Sequence, residues 1–311
     1  MFGSASRLFG AARALRGRAA LAGASAVLAS AGLATTAAFS LPAPPVKLDL
    51  DDRTASSLLM ALKAKLEKPP PKYAFLLLKD HPYGREMLRQ MMSEGFVPSI
   101  VVEEDSNIAT EEREKFLKRI EGNDIAPPVE EQLRGHNVPI VQVPIHNSKN
   151  VVPHLWSANG GERLDLVVLG GTRIIRGEIL TTPSTGVLNA HPGILPLCRG
   201  SASPAWSVYH DIPIGSTCHF CDAGIDTGNL VSKREVAVTR GMSYEDLCYR
   251  TLVLSGVLMK EALMAYVAGT LPAMRHAQGD SPWPTFKNAP PEVLEVVNQK
   301  LKEGTYKHYV D

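Results

Sequence analysis

Six consecutive apolar residues, Tyr73-Ala74-Phe75-Leu76-Leu77-Leu78, constrain this chain more than any other stretch. A strand with one wet face alternates apolar and polar residues. A run that is apolar at every position is expected to be buried on both faces, as in a parallel sheet covered by helices. Parallel strands need crossovers, and the sequence supplies them. Residues 84–94 place Met87, Leu88, Met91 and Met92 on one helical face. Residues 99–102 read as a second strand and 110–120 as a charged amphipathic helix. Residues 139–143, 164–169 and 186–188 read as the third to fifth strands. Strand and helix alternate, which predicts an α/β fold with a doubly wound, mostly parallel sheet. Residues 215–221 and 229–238 read as further strands, and 244–267 as a long helix laid across the sheet. Ligands of such sheets sit beyond the carboxyl ends of the strands. There is no internal repeat, no P-loop and no G-x-G-x-x-G.

The chemistry is concentrated between 185 and 230. Asn189 and His191 follow the fifth strand, and residues two apart on a strand share a side. They lead into Pro192-Gly193, Leu195-Pro196 and Arg199-Gly200. The next strand ends in Asp222-Ala223-Gly224-Ile225-Asp226-Thr227-Gly228, a glycine-flanked loop that can bring Asp226 to the same pocket. A lone histidine after a strand is more often a satisfied structural residue. The company of Asn189, Pro192 and Leu195-Pro196 gives His191 its functional weight. Asn, His and Asp together suit acyl transfer to an amine: amide and imidazole N–H groups stabilise an oxyanion, and the carboxylate orients the imidazole or takes a proton. No Ser or Cys stands in a nucleophile-elbow pattern.

The pattern N-x-H-P-x-x-L-P-x-x-R-G followed by D-x-G-x-D-x-G resembles the 10-formyltetrahydrofolate-dependent formyltransferase family, which includes glycinamide ribonucleotide, methionyl-tRNA and sugar-amine formyltransferases. The stretch 164–171 is similar to the strand before that family's folate site, and Thr172-Arg173-Ile174-Ile175 to the segment whose backbone holds the pterin. The resemblance covers roughly residues 73–275. It implies a Rossmann-like formyltransferase fold with a single catalytic domain, and 10-formyltetrahydrofolate as formyl donor. It puts Asn189, His191 and Asp226 in the catalytic positions, and Arg173, Ile174, Ile175, Asp222, Ala223, Gly224 and Ile225 against the folate. No metal is implied.

The acceptor is less constrained, and a primary amine is the defensible class. Glycinamide ribonucleotide formyltransferases place a Gly/Ser/Asn-rich phosphate loop after the first strand. Here that loop is Lys79-Asp80-His81-Pro82-Tyr83-Gly84-Arg85, with one glycine. Methionyl-tRNA formyltransferases add a sizeable C-terminal tRNA domain, whereas 276–311 is a short extension with Trp283, Phe286 and a helix over 291–302. A small-molecule amine is therefore expected, with tRNA an alternative lacking its usual domain, and no DNA. A 10-formyltetrahydrofolate hydrolase and a non-catalytic folate-binding protein are the other readings; the intact Asn-His-Asp set disfavours the last. The lysines of the final helix read as a solvated face.

The N-terminus is compositionally foreign. Residues 1–48 hold four arginines and Lys47 but no Asp or Glu, which reads as a mitochondrial transit peptide, with a plastid or other organelle next. The uncharged run 19–46 is long enough to span a bilayer but rich in Ala, Gly, Ser and Thr, so a membrane enters only if that run is retained as an anchor. Residues 49–72 read as a short helix (54–67) and a proline linker. Net charge is +1 and demands no nucleic-acid partner. The four cysteines lie within apparent core elements, not in a disulfide framework. Cys218-His219-Phe220-Cys221 has zinc-like spacing but lacks a second ligand pair, so it reads as a strand carrying two core thiols.

Overall fold

The computed structural model describes residues 69–311. The leader expected over 1–48 and the helix expected over 54–67 lie outside the described residues. Strand β1 (Tyr73–Leu78) is buried at all six positions, as its unbroken apolar run requires. Helix α1 (Pro82–Met92) follows, capped by His81, whose ring nitrogen accepts from Tyr83 N at 3.3 Å. Then come β2 (Ile100–Glu104), α2 (Asn107–Arg119), the single turn α3 (Val129–Gln132) and β3 (Ile140–Val143). Next are α4 (Val151–Ser157), β4 (Leu166–Leu169), a 3-10 turn (Gly177–Thr181), β5 (Gly186–His191) and α5 (Ser203–His210). The chain closes with β6 (Gly215–Phe220), β7 (Leu230–Glu235), α6 (Tyr244–Val267), a 3-10 turn (Leu271–Met274) and α7 (Pro291–Glu303).

The strands form one sheet in the order β3-β2-β1-β4-β5-β6-β7. The first five are mutually parallel; β6 and β7 run antiparallel to their neighbours. Alternate residues divide the core in two. Tyr73, Phe75, Leu77, Val101, Leu166, Val168, Leu188 and Cys218 face α1, α5, α6 and α7. Ala74, Leu76, Val102, Val167, Leu169 and Val187 face α4 and the first 3-10 turn. Helices on both faces make the sheet doubly wound, as expected. Each fully buried Leu or Phe contributes roughly 1.5–3 kcal/mol.

Helix α6 is the longest helix among the described residues, and its bounds are those expected. A capping box starts it: Ser243 Oγ accepts from Asp246 N at 3.1 Å and Asp246 Oδ2 from Ser243 N at 2.9 Å. It crosses β5 and β6 and lies along α1. Gly256 permits that approach, since a Cβ there would stand 2.8 Å from Gln90 Cγ.

Three expectations change. Strand β5 runs to His191 rather than stopping at Leu188, because Asn189, Ala190 and His191 pair with His219, Cys218 and Thr217 of β6. Helices α3, α4 and α5 were not expected at all. The lysine-rich end of α7 is not simply a solvated face: Lys300 Nζ lies 2.9 Å from Asp211 Oδ1 and donates to Val208 O at 2.8 Å, fastening α7 to the end of α5. As for the two thiols, Cys218 and Cys221 pack into the core layers on opposite sides of the sheet, which keeps them from sharing a ligand.

Candidate active site

The site forms at the carboxyl end of β5, where the sheet changes from parallel to antiparallel. Asn189 and His191 have the same parity as Val187 and face the α4 side. The antiparallel register sets His219 of β6 directly beside Asn189. Asn189 Nδ2 is 3.2 Å from His219 Nε2. Asp226 arrives from the β6–β7 loop. Its Oδ2 lies 3.4 Å from His191 Nδ1 and its Oδ1 3.5 Å from His219 Nε2. The three residues expected to be catalytic are thus brought together, and His219 joins them. Nothing in the sequence pattern assigned His219 to the site, because its place depends on a cross-strand register.

Local backbone fixes the carboxylate. Asp222 Oδ1 accepts from Gly224 N at 3.0 Å and from Thr227 Oγ1 at 2.6 Å, folding the loop as an Asx turn. Asp226 itself adopts φ 53°, in the left-handed region. Gly200 N donates to Asp226 Oδ2 at 2.9 Å. On the other side of the imidazole, the 192–203 turn wraps back. His191 Nε2 is 2.8 Å from Cys198 O and 3.1 Å from Ser203 Oγ. The turn is braced by Thr217, whose Oγ1 donates to Gly193 O at 2.7 Å and accepts from Leu195 N at 3.1 Å. The Tyr83 hydroxyl donates to Ala190 O between the two site residues of β5.

Burial would raise the Asp226 carboxyl, but His191, His219 and the Gly200 N–H together hold it well below the usual carboxylate range. The group is an anion at neutral pH. His191 is 4% exposed, and burial pushes its imidazole below the ordinary value despite the Asp226 charge and the Cys198 carbonyl. It is therefore neutral at pH 7, with one N–H for two acceptors. A second proton would satisfy both. The imidazole is thus placed to receive a proton, and the Asp226 carboxylate beside it, like the Asn189 amide, is only partly buried.

The loops expected to hold the folate sit at the same end of the sheet. Leu169 pairs with Asn189, so the chain leaves β4 for Arg173 at the level of the site. Arg173 Nη1 reaches Glu104 Oε1 at 3.4 Å. Asn147 brackets the segment, donating to Ile174 O at 2.8 Å and accepting from Arg176 N at 2.8 Å. Ile175 is buried, while Ile174 is 43% exposed. On the other loop Asp222, Ala223 and Gly224 are exposed and Ile225 is 37% exposed. Each loop therefore offers ordered backbone and one exposed isoleucine. By contrast, the loop after β1 is committed internally: Lys79 Nζ pairs with Asp105 at 2.7 Å, His81 caps α1, and Arg85 Nε donates to Ala126 O at 2.7 Å.

The chain is similar to known formyltransferases. The formyl transferase family pattern matches residues 112–263. The methionyl-tRNA formyltransferase of Ruminiclostridium cellulolyticum is 30% identical over 157 residues, 50% of this chain and 49% of that protein. That of Trichodesmium erythraeum is 35% identical over 124 residues, 39% of this chain and 36% of that protein. This chain thus spans about half the length, or less, of these curated relatives. The structure of phosphoribosylglycinamide formyltransferase from Anaplasma phagocytophilum aligns with a TM-score of 0.50 at 17% identity, covering 64% of this chain and 87% of that one, a likeness of fold. The matched segment runs from within α2 to within α6 and contains Asn189, His191, His219 and Asp226. The resemblance carried by the two sequence motifs stands, and residues 112–263 of this chain match the formyl transferase family.

Proposed function

We propose that this protein is an enzyme transferring a formyl group from 10-formyltetrahydrofolate to a primary amine. The observation that carries the reading is the convergence of Asn189, His191 and Asp226, with an anionic carboxylate against a neutral, buried imidazole. The folate is assigned to Arg173, Ile174 and Ile175 on one loop and Asp222, Ala223, Gly224 and Ile225 on the other. Their ordered backbone suits the hydrogen-bonding edge of a pterin, and Ile174 and Ile225 suit its flat apolar faces.

The amine nitrogen forms its bond to the formyl carbon, and the carbonyl electron pair moves onto oxygen. Asn189 Nδ2–H stabilises that oxyanion. The amine proton passes to Asp226, directly or through a water, and on to His191, where an imidazolium satisfies both Asp226 and the Cys198 carbonyl. For His191 also to donate to the oxyanion, Nε2 must exchange Cys198 O for substrate; the relay needs no such exchange. Collapse of the adduct breaks the bond to N10, which takes the proton back from His191 through Asp226 or a water, and tetrahydrofolate leaves. The internal commitment of Lys79, His81 and Arg85 weighs against a phosphorylated acceptor held by that loop.

The test is tetrahydrofolate release with water alone, glycinamide ribonucleotide, amino-sugar nucleotides and Met-tRNA as acceptors. Acceptor-dependent turnover is expected, reduced on the order of a hundredfold or more in Asp226→Asn and in His191→Ala. Near-normal turnover in either variant would sink the mechanism. Equal turnover in water alone would make the protein a hydrolase, and folate binding without turnover would leave it a binding protein.

A further inference from the structure

Residues 276–286 lie beyond the segment matching the family, and the chemistry above makes no use of them. They nevertheless meet the site at three places. His276 exchanges backbone hydrogen bonds with Leu230 at the start of β7, at 2.8 and 3.0 Å. Phe286 N donates to Arg199 O at 2.8 Å and Ser201 N to Phe286 O at 2.9 Å, so the strap runs beside Gly200. Between these anchors stands Gln278. Its Nε2 donates to Asp226 O at 2.9 Å and to Gly228 O at 2.6 Å, and its Oε1 accepts from Arg199 Nη2 at 3.0 Å. Both amide hydrogens and the amide oxygen are thereby used.

These contacts join the two segments that set the carboxylate. One is the 226–228 loop, which carries Asp226. The other is Arg199-Gly200, whose Gly200 N–H donates to Asp226 Oδ2. We infer that Gln278 is a positioning residue: its amide holds the Asp226 backbone and Arg199 in one frame, and so sets the reach from Asp226 to His191. The inference rests on the formyl-transfer reading and concerns how one of its groups is held. Two features make the hold necessary. A non-glycine residue at positive φ persists only when its surroundings over-determine it. The 3.4 Å separation of Asp226 Oδ2 and His191 Nδ1 is already longer than a made N–H···O bond, so a further few tenths of an ångström slows the relay.

Gln278→Ala removes the amide. Gln278→Glu keeps the shape and an oxygen for Arg199 but lacks the two N–H donors. Both are expected to lower kcat about tenfold or more, with unfolding temperatures close to wild type. Because Gln278 acts through Asp226, the double variant Gln278→Ala/Asp226→Asn is expected to be no slower than Asp226→Asn alone. Wild-type kcat in Gln278→Glu, or losses that multiply in the double variant, would overturn the inference. The imidazole of His191, which faces Asp226, His219 and the Cys198 carbonyl, supplies a readout independent of turnover. Its NMR titration is expected to move down by about half a unit or more in Gln278→Ala as the carboxylate withdraws. An unmoved titration overturns the inference even if wild-type protein shows no formyl transfer, a result that would instead count against the proposed function.

Discussion

Gly200 serves the site twice. Its N–H is a donor to the Asp226 carboxylate, and its α-carbon, at φ +98°, lies against the Phe286 backbone, where a Cβ would collide with the carbonyl. Gly200→Ala is therefore expected to open the Phe286 bridge and withdraw the donor together. Stability measured by urea unfolding should fall by about 1–3 kcal/mol, and kcat should fall with it. Unchanged unfolding would show that the bridge yields without cost. At this scale legibility was uneven. Asn189, His191 and Asp226 stood out because their spacing along a strand and a glycine-flanked loop is local. His219 and Gln278 did not, because each acquires its partner from far along the chain: His219 through the β5–β6 register, Gln278 through hydrogen bonds to Asp226 and Gly228.

Elements were legible where burial wrote them into the pattern. The apolar run of β1 and the 24 residues of α6 need no partner to be recognised. Helix α4 has a proline inside seven residues, and α5 begins at Ser203 after a left-handed Ala202, so neither shows a helical period long enough to read. Strand β5 was read short because Asn and His have little strand preference, which pairing with β6 overrides. The docking of α7 on α5 was likewise hidden. Lys300 satisfies Val208 O at the end of α5 and pairs with Asp211, while Tyr306 donates to Ile212 O at 2.7 Å. Lys300→Met keeps the aliphatic stem and removes the charge. It is expected to cost about 1.5–3 kcal/mol, read as a lower urea midpoint. A midpoint equal to wild type would return the lysine to the role of a solvated residue.

For the molecule as a whole, the buried histidines predict acid lability, opposed by Glu103, whose carboxyl burial pushes up. His81 is pushed down to about 3 by its burial, with Arg119 and Arg113 adding to it, and His191 is lowered by burial as well. Between the ordinary value of 6.5 and these lower ones the unfolded chain binds more protons than the folded one. Stability is thus complete above that value and falls with pH below it, by about 1.4 kcal/mol per unit for each proton taken up. Glu104 and Asp226 act lower still. Burial opposes them, yet His146 and Arg173 hold Glu104 at about 2, and His191 and His219 hold Asp226 low, so their contributions go only below the usual carboxylate values. The urea midpoint is expected to drop steadily from pH 7 to 4, and less steeply in His81→Asn, which retains a capping group for α1. A flat profile would contradict the buried neutral histidines. The doubly wound architecture was readable because alternation of strand and helix is a property of the whole chain, whereas the strap over 276–286 was read only as an extension. Apart from the Gln278 amide, its grip on Arg199-Gly200 is a ladder of backbone amides and carbonyls that uses no side chain of the strap. Such a segment can change residue type everywhere but at Gln278 and keep its task, so its likeness to other chains by letters can be small where its contribution to the site is not.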